Sequence, residues 1–188
     1  MALLRVRTPS EDKIVQMERG RLMSAKERNG RIVALGGTFD LLHKGHKKII
    51  SKALQVGDRV IIGLASHRFV EERRKDHIVS NYESRRANLE SFLAAAGELE
   101  RVEIVPLDDP YGPSVTDREI SAMVVSRETL ETALEINKVR FSRGMAPIQV
   151  YVVDFAVAED GKPVSTSGIR QGLMNKEGKL LGKGPTGF

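Results

Sequence analysis

The sequence predicts a single doubly wound, Rossmann-like α/β domain, with a parallel sheet and helices on both faces. Two observations carry this. Runs of nearly continuous Val, Ile, Leu and Ala alternate along the chain with stretches of helical spacing, and strands apolar at almost every residue belong to sheets covered on both sides by their connecting helices. The first run also ends in Gly36-Gly37 and passes directly into a helical stretch, the strand, tight turn and helix order of a ligand-binding crossover.

In chain order, the first strand is expected over residues 31–36, where Ile32-Val33-Ala34-Leu35 precedes the glycines. A helix over 44–56 follows from apolar residues at 49, 50, 53 and 54, which fall on one helical face. The second strand, 59–65, is apolar from Val60 to Ala65 apart from Gly63. A helix over 82–97 opens at Tyr82-Glu83-Ser84-Arg85, and strands at 101–105 and 121–125 flank a loop rich in turn formers, Pro106 to Pro113, read as an ordered loop over the ligand site or a plain surface turn. Ser126-Arg127-Glu128-Thr129 closes the second of these strands and opens a helix over 127–141. A last strand at 148–154 and a helix at 168–174, behind the hydroxyl cluster Ser165-Thr166-Ser167, complete the domain.

The chain has 188 residues, 40% of them hydrophobic, enough for one domain with a real core. It contains no cysteine, which removes a disulfide scaffold and a thiolate metal site. The apolar runs are too short to span a membrane and no signal-peptide core stands at the start, so a cytoplasmic protein is expected. The net charge of +5 sits unevenly: residues 1–31 hold eight Lys or Arg against four Asp or Glu, and residues 32–188 hold 22 against 21. Residues 1–30 are therefore expected to be a basic, mobile extension, with Met23 a candidate natural start, and residues 31–188 the functional domain. A nearly neutral domain argues against nucleic acid as partner. Oligomeric state leaves no mark on the sequence.

Chemistry concentrates in residues 37–46, Gly-Thr-Phe-Asp-Leu-Leu-His-Lys-Gly-His, which contain two of the four histidines. Glycines strip side chains from the turn, and the following helix offers first-turn N–H groups and its positive dipole end, a combination suited to an anion. His43 and His46, three apart, share a helical face, and Gly45 between them leaves room for something flat. Two imidazoles beside a phosphate can donate to oxygens that gain charge during reaction. A second anion cradle is expected at Ser165-Thr166-Ser167-Gly168-Ile169-Arg170, although a simple helix cap has the same composition. His67 and His77 are read as structural or exposed.

The decapeptide resembles the signature of the H-x-G-H nucleotidylyltransferase superfamily, with His43, Gly45 and His46 filling that pattern, and residues 165–170 resemble its S-T-x-I-R motif. The stretches Tyr82-Glu83-Ser84-Arg85, Asp108 to Pro113, Val124 to Thr129, Asp160-Gly161 and Gly172 to Gly178 resemble the archaeal and eukaryotic type of phosphopantetheine adenylyltransferase. The resemblance implies transfer of the adenylyl group of ATP to 4′-phosphopantetheine, giving dephospho-coenzyme A and pyrophosphate. It implies catalytic roles for His43, His46, Lys75 and Arg170, with Arg73 and Arg74 as neighbours able to replace Lys75. Gly37, Thr38, Phe39, Gly45, Ser126, Glu128, Thr129, Ser165, Thr166, Ser167 and Ile169 would line the nucleotide site. Magnesium would be held mainly through the ATP phosphates, with no protein metal site. Sibling transferases acting on glycerol phosphate or FMN share the decapeptide, and a non-catalytic nucleotide-binding module on the same fold is a further alternative.

Overall fold

The structure, a computed structural model, describes residues 30–72 and 79–181. Its centre is a five-stranded sheet in which every neighbouring pair is parallel, in the order β3-β2-β1-β4-β5. The strands are β1 (Ile32–Gly37), β2 (Arg59–Ala65), β3 (Val102–Leu107), β4 (Ile120–Ser126) and β5 (Gln149–Val153). The chain moves outward from β1 to β3, returns to the other side of β1 with β4, and so places a topological switch between β1 and β4. Ligands of open parallel sheets bind outside the carboxyl ends of the strands at such a switch.

Alternate residues of the strands serve opposite layers. Val33, Leu35, Val60 and Ile62 pack with Ile50, Ala53 and Leu54 of α1 (Lys44–Val56) and Leu89 and Leu93 of α3 (Tyr82–Ala95). Ile32, Ala34, Ile61, Met123 and Val125 face Ala133 and Ile136 of α4 (Leu130–Ser142). Both faces are apolar, as the uninterrupted runs predict, because both are buried.

A parallel crossover usually carries a helix. The β3-to-β4 connection carries only a 3-10 turn, Gly112–Val115, so the α4 side of the sheet is less completely covered near the ends of β1 and β2. The loop is instead fixed by polar groups. Asp109 accepts from Tyr111 N–H and Gly112 N–H, both at 2.7 Å.

Two elements depart from the expectation. α2 (His67–Glu72) was not anticipated; it buries only Val70, and its other residues carry no apolar periodicity. The helix expected at 168–174 lies instead at α5 (Thr166–Arg170). Ser165 Oγ accepts from Gly168 N–H at 3.1 Å and starts the helix early, while Gly172 at φ 69° and a Leu173 N–H bond back to Gly168 end it. The expected basic extension lies almost wholly outside the described residues.

Candidate active site

The turn after β1 is built by its own side chains. Phe39 adopts φ 48°, uncommon for a bulky residue, and is 2% exposed. Its ring covers Gly37 so closely that a Cβ there would lie 3.1 Å from it. The flat object beside Gly45 is the imidazole of His43, 2.9 Å from where a Cβ would stand. Gly37 and Gly45 thus pack against the protein's own rings while both line the cavity at the carboxyl ends of the strands.

The start of α1 differs from the expected open anion cradle. Gly45 N–H donates to His43 Nδ1 at 3.1 Å, and Lys44 N–H donates to the carbonyl of Lys176 at 2.8 Å. Two of the first-turn N–H groups are thus engaged by the protein itself. The two rings stack with centroids 3.9 Å apart and 28° between planes, and Phe39 packs on His46 at 5.1 Å.

Hydrogen bonding sets the tautomers. Because His43 Nδ1 accepts, the neutral ring carries its proton on Nε2. Burial, then the like charge of His46, pushes the His43 pKa down to about 4. At neutral pH His43 is therefore an uncharged donor. His46 Nδ1 lies 3.0 Å from the carbonyl of Leu41, which can only accept, so Nδ1 carries a proton.

Asp40, 3% exposed, joins the two motifs. Its Oδ2 accepts from Arg170 Nη2 at 2.6 Å and Nε at 3.2 Å, and its Oδ1 accepts from Ser80 N–H at 2.9 Å. Burial would raise its pKa, but the Ser80 and Arg170 hydrogen bonds outweigh it and hold the carboxyl below its ordinary value. Behind this pair Arg85, 1% exposed, donates to the carbonyls of Ser80, Thr38 and Ala65 at 2.8–2.9 Å.

A cavity of ≈ 500 Å³ opens along the carboxyl ends of the strands. Among the expected site residues, Gly37, Thr38, Phe39, His43, Gly45, His46, Ser126, Glu128, Thr129, Ser165, Thr166 and Ser167 all line it. Ile169 does not; it packs with Ala158, Val164 and Met174. Arg170 contributes through Asp40, and Lys75, with Arg73, Arg74 and His77, lies outside the described residues. The cap reading also holds: Ser165 caps α5, and Ser126 N–H donates to Thr129 Oγ1 at 3.2 Å. Leu107 at the end of β3 and Pro110, Tyr111 and Pro113 of the loop after it line the cavity as well, in keeping with the expectation of an ordered loop over the site, whereas sequence reasoning missed Phe69, Asp154 and Phe155. The only signal of these three was position, beyond the ends of β2 and β5.

A model of the cytidylyltransferase-like family matches residues 34–172. The phosphopantetheine adenylyltransferase of Methanopyrus kandleri is 45% identical over 140 residues, covering 74% of this chain and 88% of that one. The chain belongs to the cytidylyltransferase-like family, among the phosphopantetheine adenylyltransferases. The member from Pyrobaculum aerophilum is 39% identical over 149 residues, 79% of this chain and 96% of its own. A solved structure of a protein of unknown function from Archaeoglobus fulgidus shares the family fold, with 38% identity and a TM-score of 0.59 over 65% of this chain and 88% of that one. Family membership thus agrees with a nucleotide site at the β1–β4 switch. Among the described residues, no helix is long and apolar enough to cross a membrane.

Proposed function

We propose that this chain transfers the adenylyl group of ATP to 4′-phosphopantetheine, giving dephospho-coenzyme A and pyrophosphate, in the cytoplasm and without a nucleic-acid or membrane partner. The observation that carries the reading is the His43–His46 stack, set in the cavity at the strand switch and facing the same space as the Ser165 turn.

The acceptor's phosphate monoester has a second pKa of about 6, so it arrives largely as a dianion and needs no general base. The protein's work is alignment and neutralisation of charge. An acceptor phosphate oxygen attacks the α-phosphorus of ATP, the bond to the bridging oxygen of the β-phosphate breaks, and pyrophosphate departs opposite. His43 donates through Nε2 to the α-phosphate oxygens without adding charge of its own, and His46 and Thr38 act beside it. Ser165, Thr166 and Ser167 hold the departing pyrophosphate, while Arg170, anchored by Asp40, adds positive charge. Lys75 is assigned to the acceptor phosphate. Ser126, Glu128 and Thr129 meet the adenosine end, and the apolar floor at Gly63 and Leu107, walled by Phe69 and Tyr111, suits the acceptor's long neutral arm.

Magnesium prefers hard oxygen ligands and commonly keeps several waters. Among the described residues no group of three or more His, Asp or Glu could hold a metal ion, and Asp40 is engaged by Arg170 and Ser80. Such a site would suit an ion carried by triphosphate oxygens and water, with Glu128 as a carboxylate on the cavity wall; Asp154, like Asp40, is held by an arginine, accepting from Arg127 at 2.8 Å. Such an ion would screen the triphosphate's charge.

The test is pyrophosphate release by the purified protein with Mg²⁺, offering ATP or CTP against 4′-phosphopantetheine, FMN, nicotinamide mononucleotide and glycerol 3-phosphate. Turnover with ATP and 4′-phosphopantetheine is expected. Turnover with a different pair would keep the chemistry and replace the acceptor, and silence throughout would sink the enzymatic reading.

A further inference from the structure

Residues 173–181 form a small hairpin beyond α5. It is closed by bonds from Asn175 N–H to Lys179 O at 2.9 Å and from Leu181 N–H to Leu173 O at 3.0 Å. Asn175 Oδ1 fixes the tip by accepting from Glu177 N–H and Lys179 N–H.

One side of the hairpin grips the first turn of α1. Lys176 O accepts from Lys44 N–H at 2.8 Å, and Glu177 Oε1 accepts from Lys47 Nζ at 2.6 Å. These two contacts bracket His46 in sequence. The other side is moulded onto the Ser165 turn. Met174, 4% exposed, lies 3.2 Å from where a Cβ on Gly168 would stand. Gly178, at φ 84°, has space for no side chain: a Cβ would meet Val164 Cγ2 at 2.8 Å and Ala158 Cα at 3.1 Å. Val164 immediately precedes Ser165.

We propose that this hairpin is a clasp that fixes the Ser165 turn relative to the His43–His46 pair, and thereby sets affinity for the pyrophosphate end of the nucleotide. Glu177, Lys47 and Gly178 are its positioning residues. The inference rests on the proposed function, since it assumes that these two segments hold one polyphosphate. Lys47 is half-buried and Glu177 exposed, with side-chain accessibilities of 36% and 60%, and an ion pair that reaches solvent in this way adds little to global stability. A change in anion affinity on breaking the pair therefore reports on position.

The experiment is calorimetric titration of the full chain with Mg²⁺-pyrophosphate, with thermal melts alongside. Gly178→Ala, strained and overpacked against Val164, should weaken binding by about tenfold or more, as small misplacements at a site do. Glu177→Gln and Lys47→Gln should weaken it by about threefold to tenfold with Tm almost unmoved, and the exchange Lys47→Glu with Glu177→Lys should restore much of the loss. The KM for the phosphorylated acceptor should stay constant throughout. Wild-type affinity in folded Glu177→Gln and Lys47→Gln would overturn the clasp alone. Failure of the wild-type chain to bind pyrophosphate would overturn the function beneath it, and the clasp with it.

Discussion

Arg85 and Arg140 are the same device at opposite ends of the sheet. Each is 1% exposed, and each turns its guanidinium onto backbone carbonyls. Arg85 donates to Thr38, Ala65 and Ser80, gathering the carboxyl ends of β1 and β2 with the segment that leads into α3. Arg140 donates to Ser114, Asp117 and Ala146 at 2.7–2.8 Å, pinning the β3-to-β4 loop and the approach to β5, and reaches Ile120 at the start of β4. Burial lowers the pKa of both, opposed by Asp40 near Arg85 and Asp117 near Arg140. The difference lies in what the carbonyls belong to. Thr38 and Ser80 bear directly on the histidine turn and on Asp40, whereas among the Arg140 partners only Ser114 lines the cavity, and Asp117, Ile120 and Ala146 belong to the approaches to β4 and β5. Identical chemistry thus serves the site in one place and the scaffold in the other.

Removing the scaffold clamp should have the largest effect. Arg140→Ala leaves several carbonyls buried without donors, and a cost of about 3–5 kcal/mol is expected. Denaturant unfolding would measure it, and the folded fraction should keep its turnover. A loss of turnover per folded molecule would erase the distinction between the two arginines. Arg85→Lys keeps the charge but replaces a planar fork by a single ammonium, which cannot reach three carbonyls in fixed directions. A stability loss of about 2 kcal/mol should here be joined by a roughly tenfold fall in kcat, because the histidine turn shifts. Stability loss without the kinetic effect would make Arg85 scaffold as well.

Neither arginine was legible as a clamp in the sequence. Arginine is usually exposed, and Arg85 entered the reading only as part of a family-like stretch. What the sequence did disclose was the pattern that burial on two faces imposes: Val33 and Leu35 to one layer, Ile32 and Ala34 to the other. The histidine pair and the Ser165 turn were equally visible, because rare residue types clustered at a strand-to-helix turn. Long-range pairing was hidden. The Asp40–Arg170 contact spans 130 residues, as does the Lys47–Glu177 contact of the hairpin. Occupation of the α1 N–H groups by Lys176 O and His43 Nδ1 likewise depends on tertiary geometry that no local pattern records.

The comparison sharpens at Asp40, the carboxylate that faces Arg85 and holds Arg170. Asp40→Asn should lower kcat by roughly tenfold, since Arg170 loses its anchor, while Tm falls less than in either arginine variant. An Asp40→Asn enzyme with normal kcat would remove Arg170 from the positioned charge. Acid stability offers an independent reading. Asp40 titrates below its unfolded value of 3.8, so the stability it confers is present above that value and is lost as pH falls beneath it.

His43 should produce the most selective effect, in a different pH window. Its pKa drops from 6.5 in the unfolded chain to about 4 in the folded one. Between those values the unfolded state binds the extra proton, so stability is whole above pH 6.5 and declines as pH falls toward 4. His43→Gln keeps a side chain able to accept from Gly45 N–H but has no such titration. Subtracting its stability–pH curve from that of the wild-type chain should leave a slope confined to pH 4–6.5. Parallel curves would mean that His43 protonates as easily folded as unfolded, against its role as a neutral donor. The same window separates enzyme from substrate: an acid limb in kcat/KM near pH 6 would belong to the acceptor's phosphate, with second pKa of about 6, and should survive in any His43 variant active enough to assay.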